Sequence, residues 1–255
     1  MTTTQQPVPQ KVWRIAEQLL LARNSGSLHA TPEDGPRSTT EAYEIQAMTA
    51  ERLGPVGGFK AGRRQVGDAP NMAPIQQADI QPTGAIFSLS TYRKLGVELE
   101  IGFVLLTEPP DPDASDFLSR LRAAVAALPV LEVVESRLAD ADAAGPLWKL
   151  ADNQMNGGLV LGVPVSDWAN CHVREPNAAL TIGGNRVWDG PAPIPGGDAF
   201  GTLAAFVGAV GSHCRGLKKG HVVITGSIAG LHSVGAGQKV CGEIAGFGLV
   251  SAQFG

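Results

Sequence analysis

The sequence predicts an α+β protein, with a small helical N-terminal part over residues 1–56 and a strand-rich body over 57–255. Three observations carry that expectation. Two segments with apolar residues at helical spacing come first. Short strand-like runs separated by turns then fill most of the remaining chain. Glycine is abundant, at 32 residues, while aromatics are only 5%; that balance suits tight strand corners and close backbone approaches. With 44% hydrophobic residues over 255 positions, the chain supports one large domain or a small one plus a large one.

Residues 1–10 read as a loose tail. Val12, Ile15, Ala16, Leu19 and Leu20 recur at helical spacing and predict a helix over 10–23, ended by Asn24-Ser25-Gly26-Ser27. Residues 28–38 hold Pro32, Gly35 and Pro36 and read as a loop that carries His29. Ser38-Thr39-Thr40-Glu41 has capping-box character and opens a second helix, which Gly54-Pro55 stops. In Gly57-Gly58-Phe59-Lys60-Ala61-Gly62, Lys60 is either a surface turn lysine or one brought close to an anionic ligand by slim backbone. Residues 65–82 look irregular, and Pro82-Thr83-Gly84-Ala85-Ile86-Phe87 then leads to another short strand.

Val97-Glu98-Leu99-Glu100-Ile101-Gly102-Phe103-Val104-Leu105-Leu106 predicts a buried strand. Alternation puts Glu98, Glu100, Gly102 and Val104 on one face, with the two acids about 7 Å apart at Cα. Adjacent anions in an apolar setting repel and resist desolvation. Either that face is wet, as in many antiparallel sheets, or a divalent cation joins the acids, since hard cations take carboxylate oxygens. Phe117, Leu118, Leu121, Ala124, Val125 and Leu128 then predict a helix capped by Asp113 or Ser115 and ended by Pro129. Val130-Leu131-Glu132-Val133-Val134 is a second apolar strand with an acid at its centre. Three carboxylates in two apolar strands favour the cation, because cores rarely take unpartnered charge.

Further on, Leu150–Asn153 begins a polar turn and 159–164 reads as a strand. Strand-like runs continue over 178–189, with turns at Gly183-Gly184-Asn185 and Asp189-Gly190. A helix is predicted over 202–213, with Lys218-Lys219-Gly220 as its exit turn. His221–Ser227 is a strand running into a glycine turn, and two strands fill 238–254. No 20–50-residue repeat, dinucleotide fingerprint or phosphate-binding P-loop is present.

The net charge of −4 with no block of like charge gives nucleic-acid binding little support. No apolar run reaches membrane-spanning length, and Met1–Gln10 lacks a signal-peptide core. Cys171, Cys214 and Cys241 are few, odd in number and far apart, which suits a reducing compartment. A cytoplasmic protein is expected.

Several segments, taken in chain order, resemble one family. They are Ala42–Gln46, Gly58-Phe59-Lys60-Ala61-Gly62, Glu98–Leu105, Pro129–Glu132, Ala151-Asp152-Asn153 and Leu217–Ser227. The set is similar to the 2-hydroxypentadienoate hydratase and 4-oxalocrotonate decarboxylase branch of the fumarylacetoacetate hydrolase superfamily. The resemblance implies a body of curled mixed β-sheets and a Mg²⁺ or Mn²⁺ ion held by Glu98, Glu100 and Glu132. It implies that Lys60 faces the substrate as a catalytic residue and that Thr225, Gly226 and Ser227 lie near the substrate carboxylate. The implied reaction is hydration or decarboxylation of a 2-oxo or 2-hydroxy-dienoic acid through an enolate, as in meta-cleavage breakdown of aromatic compounds. A homo-oligomer is implied, with a related decarboxylase or hydratase as a further partner.

The chain departs from that pattern in two places. Arg63-Arg64 stand where the hydratases continue with Leu-Thr, and Ser88 stands where an acid is common. The arginines are either solvated turn residues, or one of them binds a second, distal anionic group of the substrate. A carbon–carbon hydrolase of acylpyruvates, with His29 as the histidine of a His–Glu pair, and a non-catalytic partner subunit are the competing readings. Phe59 and Ala61 around Lys60 predict limited solvation and a lowered pKa.

Overall fold

The computed structural model describes residues 9–27, 29, 34–88 and 95–255. The tail before residue 9, most of the 28–33 loop and the 89–94 segment before the Glu98 strand lie outside the described residues. The chain begins with helices α1 (Gln10–Ser25) and α2 (Thr39–Leu53), then strands β1 (Val56–Gly62), β2 (Asn71–Gln76), β3 (Ile80–Pro82), β4 (Ala85–Phe87) and β5 (Leu95–Leu105). Next come α3 (Phe117–Ala123), β6 (Val125–Glu135), α4 (Ala141–Ala144), α5 (Pro146–Ala151), β7 (Asn156–Leu161), β8 (Asn177–Ile182) and β9 (Asn185–Pro191). The chain closes with α6 (Ala199–Val210), β10 (Val222–Ser227), β11 (His232–Val234), β12 (Lys239–Ile244) and β13 (Gly248–Phe254).

The predicted α+β class is borne out. The strands form two mixed sheets. The first runs β2-β1-β10-β5-β6-β7-β3, with β11 beside β5, and the second runs β4-β13-β12-β8-β9. The first is parallel at β1–β10 and β3–β7 and antiparallel elsewhere. Its strands bury both faces. Leu99, Ile101, Phe103, Leu131 and Val223 point towards the second sheet and α6 and join the main core. Phe103 packs edge-on to Trp168, with centroids 5.3 Å apart. Each such fully buried side chain contributes roughly 1.5–3 kcal/mol of burial free energy. Val222, Ile224, Leu128, Val130 and Leu159 form a smaller cluster on the opposite face, which is also the face of Lys60, Glu98, Glu100 and Glu132.

Helix α2 starts as expected: Ser38 Oγ accepts the Glu41 N–H at 3.1 Å. Helices α1 and α2 bury Val12, Ile15, Ala42 and Ile45 together with Leu138, Trp148 and Leu150, so α5 and the segment before it complete the helical cluster. Gln46 ties the cluster to the sheet by donating to the carbonyls of Met72 and Leu150.

Several expectations need correcting. Residues 65–82 are not irregular throughout, since they hold β2 and β3; β2 is an edge strand, where Pro74 needs no ladder donor. Helix α3 ends at Ala123, and Pro129 does not stop it. The apolar run 124–128 fits either period, and it is strand β6 that takes it. Pro129 sits inside β6 opposite Ile101, and its carbonyl still accepts the Gly162 N–H at 2.9 Å. Helix α6 begins at Ala199 and ends at Val210 before Gly211, whose φ is 48°. Lys218–Gly220 therefore forms the turn into β10 and not the exit of that helix. Asp189-Gly190 is part of β9, not a turn.

Candidate metal centre

Strand register builds the site. Glu98 and Glu132 are direct cross-strand partners on β5 and β6, and Glu100 follows on the same face. The three carboxylates each place an oxygen within 4.8 Å of the others. Glu100 and Glu132 are fully buried. Lys60 reaches the cluster from β1, two strands from β5. Its Nζ donates to Glu132 Oε2 at 2.8 Å and lies 3.6 Å from Glu98 Oε2. Asn156, at the start of β7, donates from Nδ2 to Glu132 Oε1 at 2.8 Å.

The turn at the end of β10 supplies one more donor. The β10–β5 register shifts between Ile224 and Ser227. Within that bulge Gly226 has φ 111° and donates its N–H to Glu100 Oε2 at 2.6 Å. A side chain there would be strained and would meet Pro195 at 3.4 Å. Ser227 lies close enough to lower the Glu98 pKa, though its buried Oγ has no well-aligned hydrogen-bond partner. Thr225 is turned away: its hydroxyl donates to the Ile101 carbonyl at 2.9 Å.

Charge at the cluster is unbalanced. Burial, with Glu132 adding repulsion, pushes the Glu100 carboxyl well above the usual range, and burial raises Glu98. Glu100 Oε1 is buried with no hydrogen-bond partner. Three carboxylates against one ammonium leave a formal charge of two negatives (three minus one), the complement of one divalent cation. The donor set is all oxygen, the preference of Mg²⁺, Mn²⁺ and Ca²⁺. The residues present therefore fit such an ion. The Lys60 pKa runs against the sequence-based expectation: burial pulls it down, but Glu132, Glu98 and Glu100 outweigh burial and hold it above the ordinary lysine value. Lys60 is an ammonium at neutral pH.

A cavity of about 270 Å³ opens onto this cluster, lined by Lys60 and Glu98 from the sheet and by Lys149 and Gln154 from α5 and the turn after it. The predicted Arg63 and Arg64 are not brought to it. Arg63 donates from Nε to Thr202 Oγ1 of α6 at 3.1 Å, and Arg64 is exposed. Ser88 is exposed just after β4. His29 packs on Trp148 in the helical cluster, 5.7 Å between centroids, and does not line the cavity. A larger cavity of about 520 Å³, between α2 and the Ser212–His221 segment, contains none of Glu98, Glu100 and Glu132. All three cysteines are free thiols. Sequence reasoning missed Asn156, Lys149 and Gln154. The signal for Asn156 was an amide opening an apolar strand; the other two depend on how α5 folds back.

No family model matches the chain. Among solved structures, 4-oxalocrotonate decarboxylase from Pseudomonas putida G7, complexed with magnesium and adipate, superposes with a TM-score of 0.79 at 21% identity. The match covers 98% of this chain and 100% of that one. The chain has the fumarylacetoacetate hydrolase fold. More distant matches with that fold include 2-hydroxyhepta-2,4-diene-1,7-dioate isomerase from Mycobacterium marinum, with a TM-score of 0.56 at 15% identity over 78% of this chain and 75% of that one. Fumarylpyruvate hydrolase from Pseudomonas aeruginosa, in complex with Mn²⁺ and pyruvate, matches with a TM-score of 0.55 at 14% identity over 77% and 88%. The fold expected from the sequence resemblance is thus found. No helix among the described residues is long and apolar enough to cross a membrane.

Proposed function

We propose that this protein is a divalent-metal-dependent lyase, a hydratase or decarboxylase, acting on a 2-oxo or 2-hydroxy-dienoic acid with Mg²⁺ or Mn²⁺ as cofactor. The observation that carries the reading is the buried cluster of Glu98, Glu100 and Glu132, short of positive charge and open to a cavity beside Lys60. The names of the similar structures support it, since each acts on a 2-oxo or 2-hydroxy acid, two of them with a divalent ion bound. The three glutamates would hold the ion. When bound, it supplies Lewis-acid stabilisation of charge that develops on a 2-oxo oxygen.

The chain's own residues do the rest. Asn156 and Lys60 each donate to one oxygen of Glu132 and so fix its plane. Gly226 holds one oxygen of Glu100, Oε2, and leaves Oε1 without a hydrogen-bond partner. Lys60 carries a proton and a positive charge at the edge of the cavity, where it can hydrogen-bond an oxygen that becomes anionic or return a proton to carbon. Its raised pKa makes it a donor first, not a resting base. Asn71, Val134 and Leu231 narrow the cavity around the substrate chain.

The test is an ultraviolet assay of 2-oxohex-3-enedioate and 2-hydroxypenta-2,4-dienoate side by side, with and without Mg²⁺. Conversion of either that is abolished by chelation and restored by Mg²⁺ or Mn²⁺ supports the reading. Metal-independent conversion, or no calorimetric binding of either ion, refutes it.

A further inference from the structure

We infer that the outer face of the second sheet is a self-complementary docking surface, on which a second copy of this chain packs about a two-fold axis that passes over Cys241. The inference is independent of the function proposed above.

The second sheet turns one face to the first, where Val240, Ile244, Val250 and Ala252 join the main core. The alternate residues point outward: Lys239, Cys241 and Glu243 on β12, with Gln253, Ser251 and Leu249 beside them on β13. Thr181 and Ala179 of β8 flank Cys241 and Glu243 on the other side, and Ile86 of β4 flanks Gln253. A wet outer face is common in antiparallel sheets. This one differs in two respects. Its central row, Ser251, Cys241 and Thr181, is built of small side chains, so another sheet can approach it closely. Its large apolar side chains, Leu249 and Ile86, are 66% and 77% exposed.

Charge selects the occupant. Lys239 and Glu243 stand about 13 Å apart on one strand, on either side of Cys241. Neither has an ion pair among the described residues. Two identical faces pack through a two-fold axis lying between them. An axis along the strands would set Lys239 on Lys239 and Glu243 on Glu243. An axis across the strands sets Lys239 of each copy on Glu243 of the other, and Cys241 on its own counterpart. Opposite charges favour the second arrangement, and it makes each contact twice. Packed sheets lie about 10 Å apart, within the joint reach of a lysine and a glutamate.

Shape agrees with charge. Glu243 borders a cavity of about 300 Å³ on this face, lined also by Asn177, Ala179, Arg186 and Asp189. Arg186 is paired with Asp189 at 3.3 Å, which leaves Glu243 as the unpaired carboxylate of that cavity. The across-strand axis directs Lys239 of the other copy towards it. The same axis lays Leu249 on Gln253 of the other copy, one strand from its Ile86, so the exposed apolar side chains cover one another. Aligned sheets cross at about 30°. Contact is therefore closest over β13, β12 and β8 and opens towards β9, which keeps Arg186 from its counterpart.

The test is sedimentation velocity of the full chain across micromolar concentrations. The wild type is expected to form a dimer in reversible exchange with monomer. Lys239→Glu and Glu243→Lys should each weaken dimerisation by about tenfold or more, because each pair is lost twice and replaced by repulsion. Mixed together, the two variants should dimerise again, since every contact between them joins opposite charges. With Cys171→Ser and Cys214→Ser in place, a short bismaleimide should link Cys241 of the two copies. A direct disulfide is not expected, as a spacing of about 10 Å exceeds the limit of roughly 7 Å. A wild type that stays monomeric throughout would overturn the interface. So would a dimer that survives both charge variants, a mixture of the variants that stays monomeric, or a dimer that the bismaleimide does not link.

Discussion

Two buried charge clusters lie one residue apart, and they are opposites. Arg137 and Asp152 form a closed pair, each at most 3% exposed. The Asp152 carboxylate accepts from Arg137 Nε, from the Arg137 N–H and from Ser136 Oγ, and the remaining guanidinium donors go to the carbonyls of Glu135, Asn156 and Asp152. The glutamate cluster is left open: it has excess negative charge and an orphan oxygen on Glu100. Asn156 joins them, its carbonyl accepting from Arg137 and its amide donating to Glu132. Burial alone therefore does not mark function. A fully satisfied buried pair holds a turn in place, whereas an unsatisfied one next to a cavity is a site waiting for a partner.

Removing one charge from each cluster should break this comparison or sharpen it. The largest effect is expected from Arg137→Met, which strands Asp152. Denaturant unfolding should show a loss of about 3–5 kcal/mol, or roughly 6–20 °C in Tm for a chain this size. A loss under about 1 kcal/mol would mean that the closed pair is not what holds the turn. Lys60→Met, assayed at saturating Mg²⁺, should lower turnover by about 10²-fold or more and change metal affinity far less. Near-full turnover would reduce the lysine to a structural counter-ion.

Glu100→Gln makes the sharpest contrast. It should weaken Mn²⁺ binding by about 10–100-fold, at least the cost of losing an outer-shell partner. The metal-free protein should become more stable, because a neutral amide relieves repulsion and still accepts from Gly226. One charge removed from each cluster thus gives opposite signs of stability, and a destabilised metal-free Glu100→Gln would refute the distinction.

The smallest effect lies in pH dependence. Burial and Glu132 raise the Glu100 carboxyl. A carboxyl raised on folding stabilises the fold while protonated. That contribution is full below the unfolded-state value of about 4.3 and is lost as pH rises through the folded value. Metal-free wild type should therefore lose more stability than Glu100→Gln between pH 5 and pH 8. His29, His213 and His221, lowered chiefly by burial, act in the opposite sense in both proteins and cancel in the difference. Saturating Mg²⁺ should remove the difference in slope or reverse it, because the ion needs the deprotonated form. Thermal melts of the two proteins across that range check it.

Much of the open cluster was legible in the sequence, because a period of two assigns faces without any knowledge of the fold. Glu98 and Glu100 had to share a side, and Glu132 repeated the oddity one strand later. Lys60 was legible only as a lysine with slim neighbours; its pKa was misjudged because desolvation can be read locally, while three carboxylates arriving from β5 and β6 cannot. Arg63 and Arg64 looked suited to a distal anion by residue type, yet the chain after β1 carries Arg63 to α6. Pro129 misled because a proline usually ends a helix, and nothing local shows that the residues before it are already strand. The closed pair was hidden: Asp152 stood out only within the Ala151-Asp152-Asn153 segment of the resemblance, nothing marked Arg137, and only α5 folding back brings the two together.

The facing of Glu98 and Glu132 also bears on how the chain folds. β5 and β6, each 11 residues long, pair along their whole length. A slip of one residue would turn Glu98 and Glu100 towards the second sheet, among Leu131, Leu180 and Val240 of the dry main core. Leu99 and Ile101 would take their places on the other face. Two carboxylates in that interior, with no lysine and no cavity, would make the misaligned hairpin far less stable than one built from apolar residues alone. The acids therefore act as alignment marks during assembly: the core rejects any pairing shifted by an odd number of residues, and the observed register brings all three glutamates together.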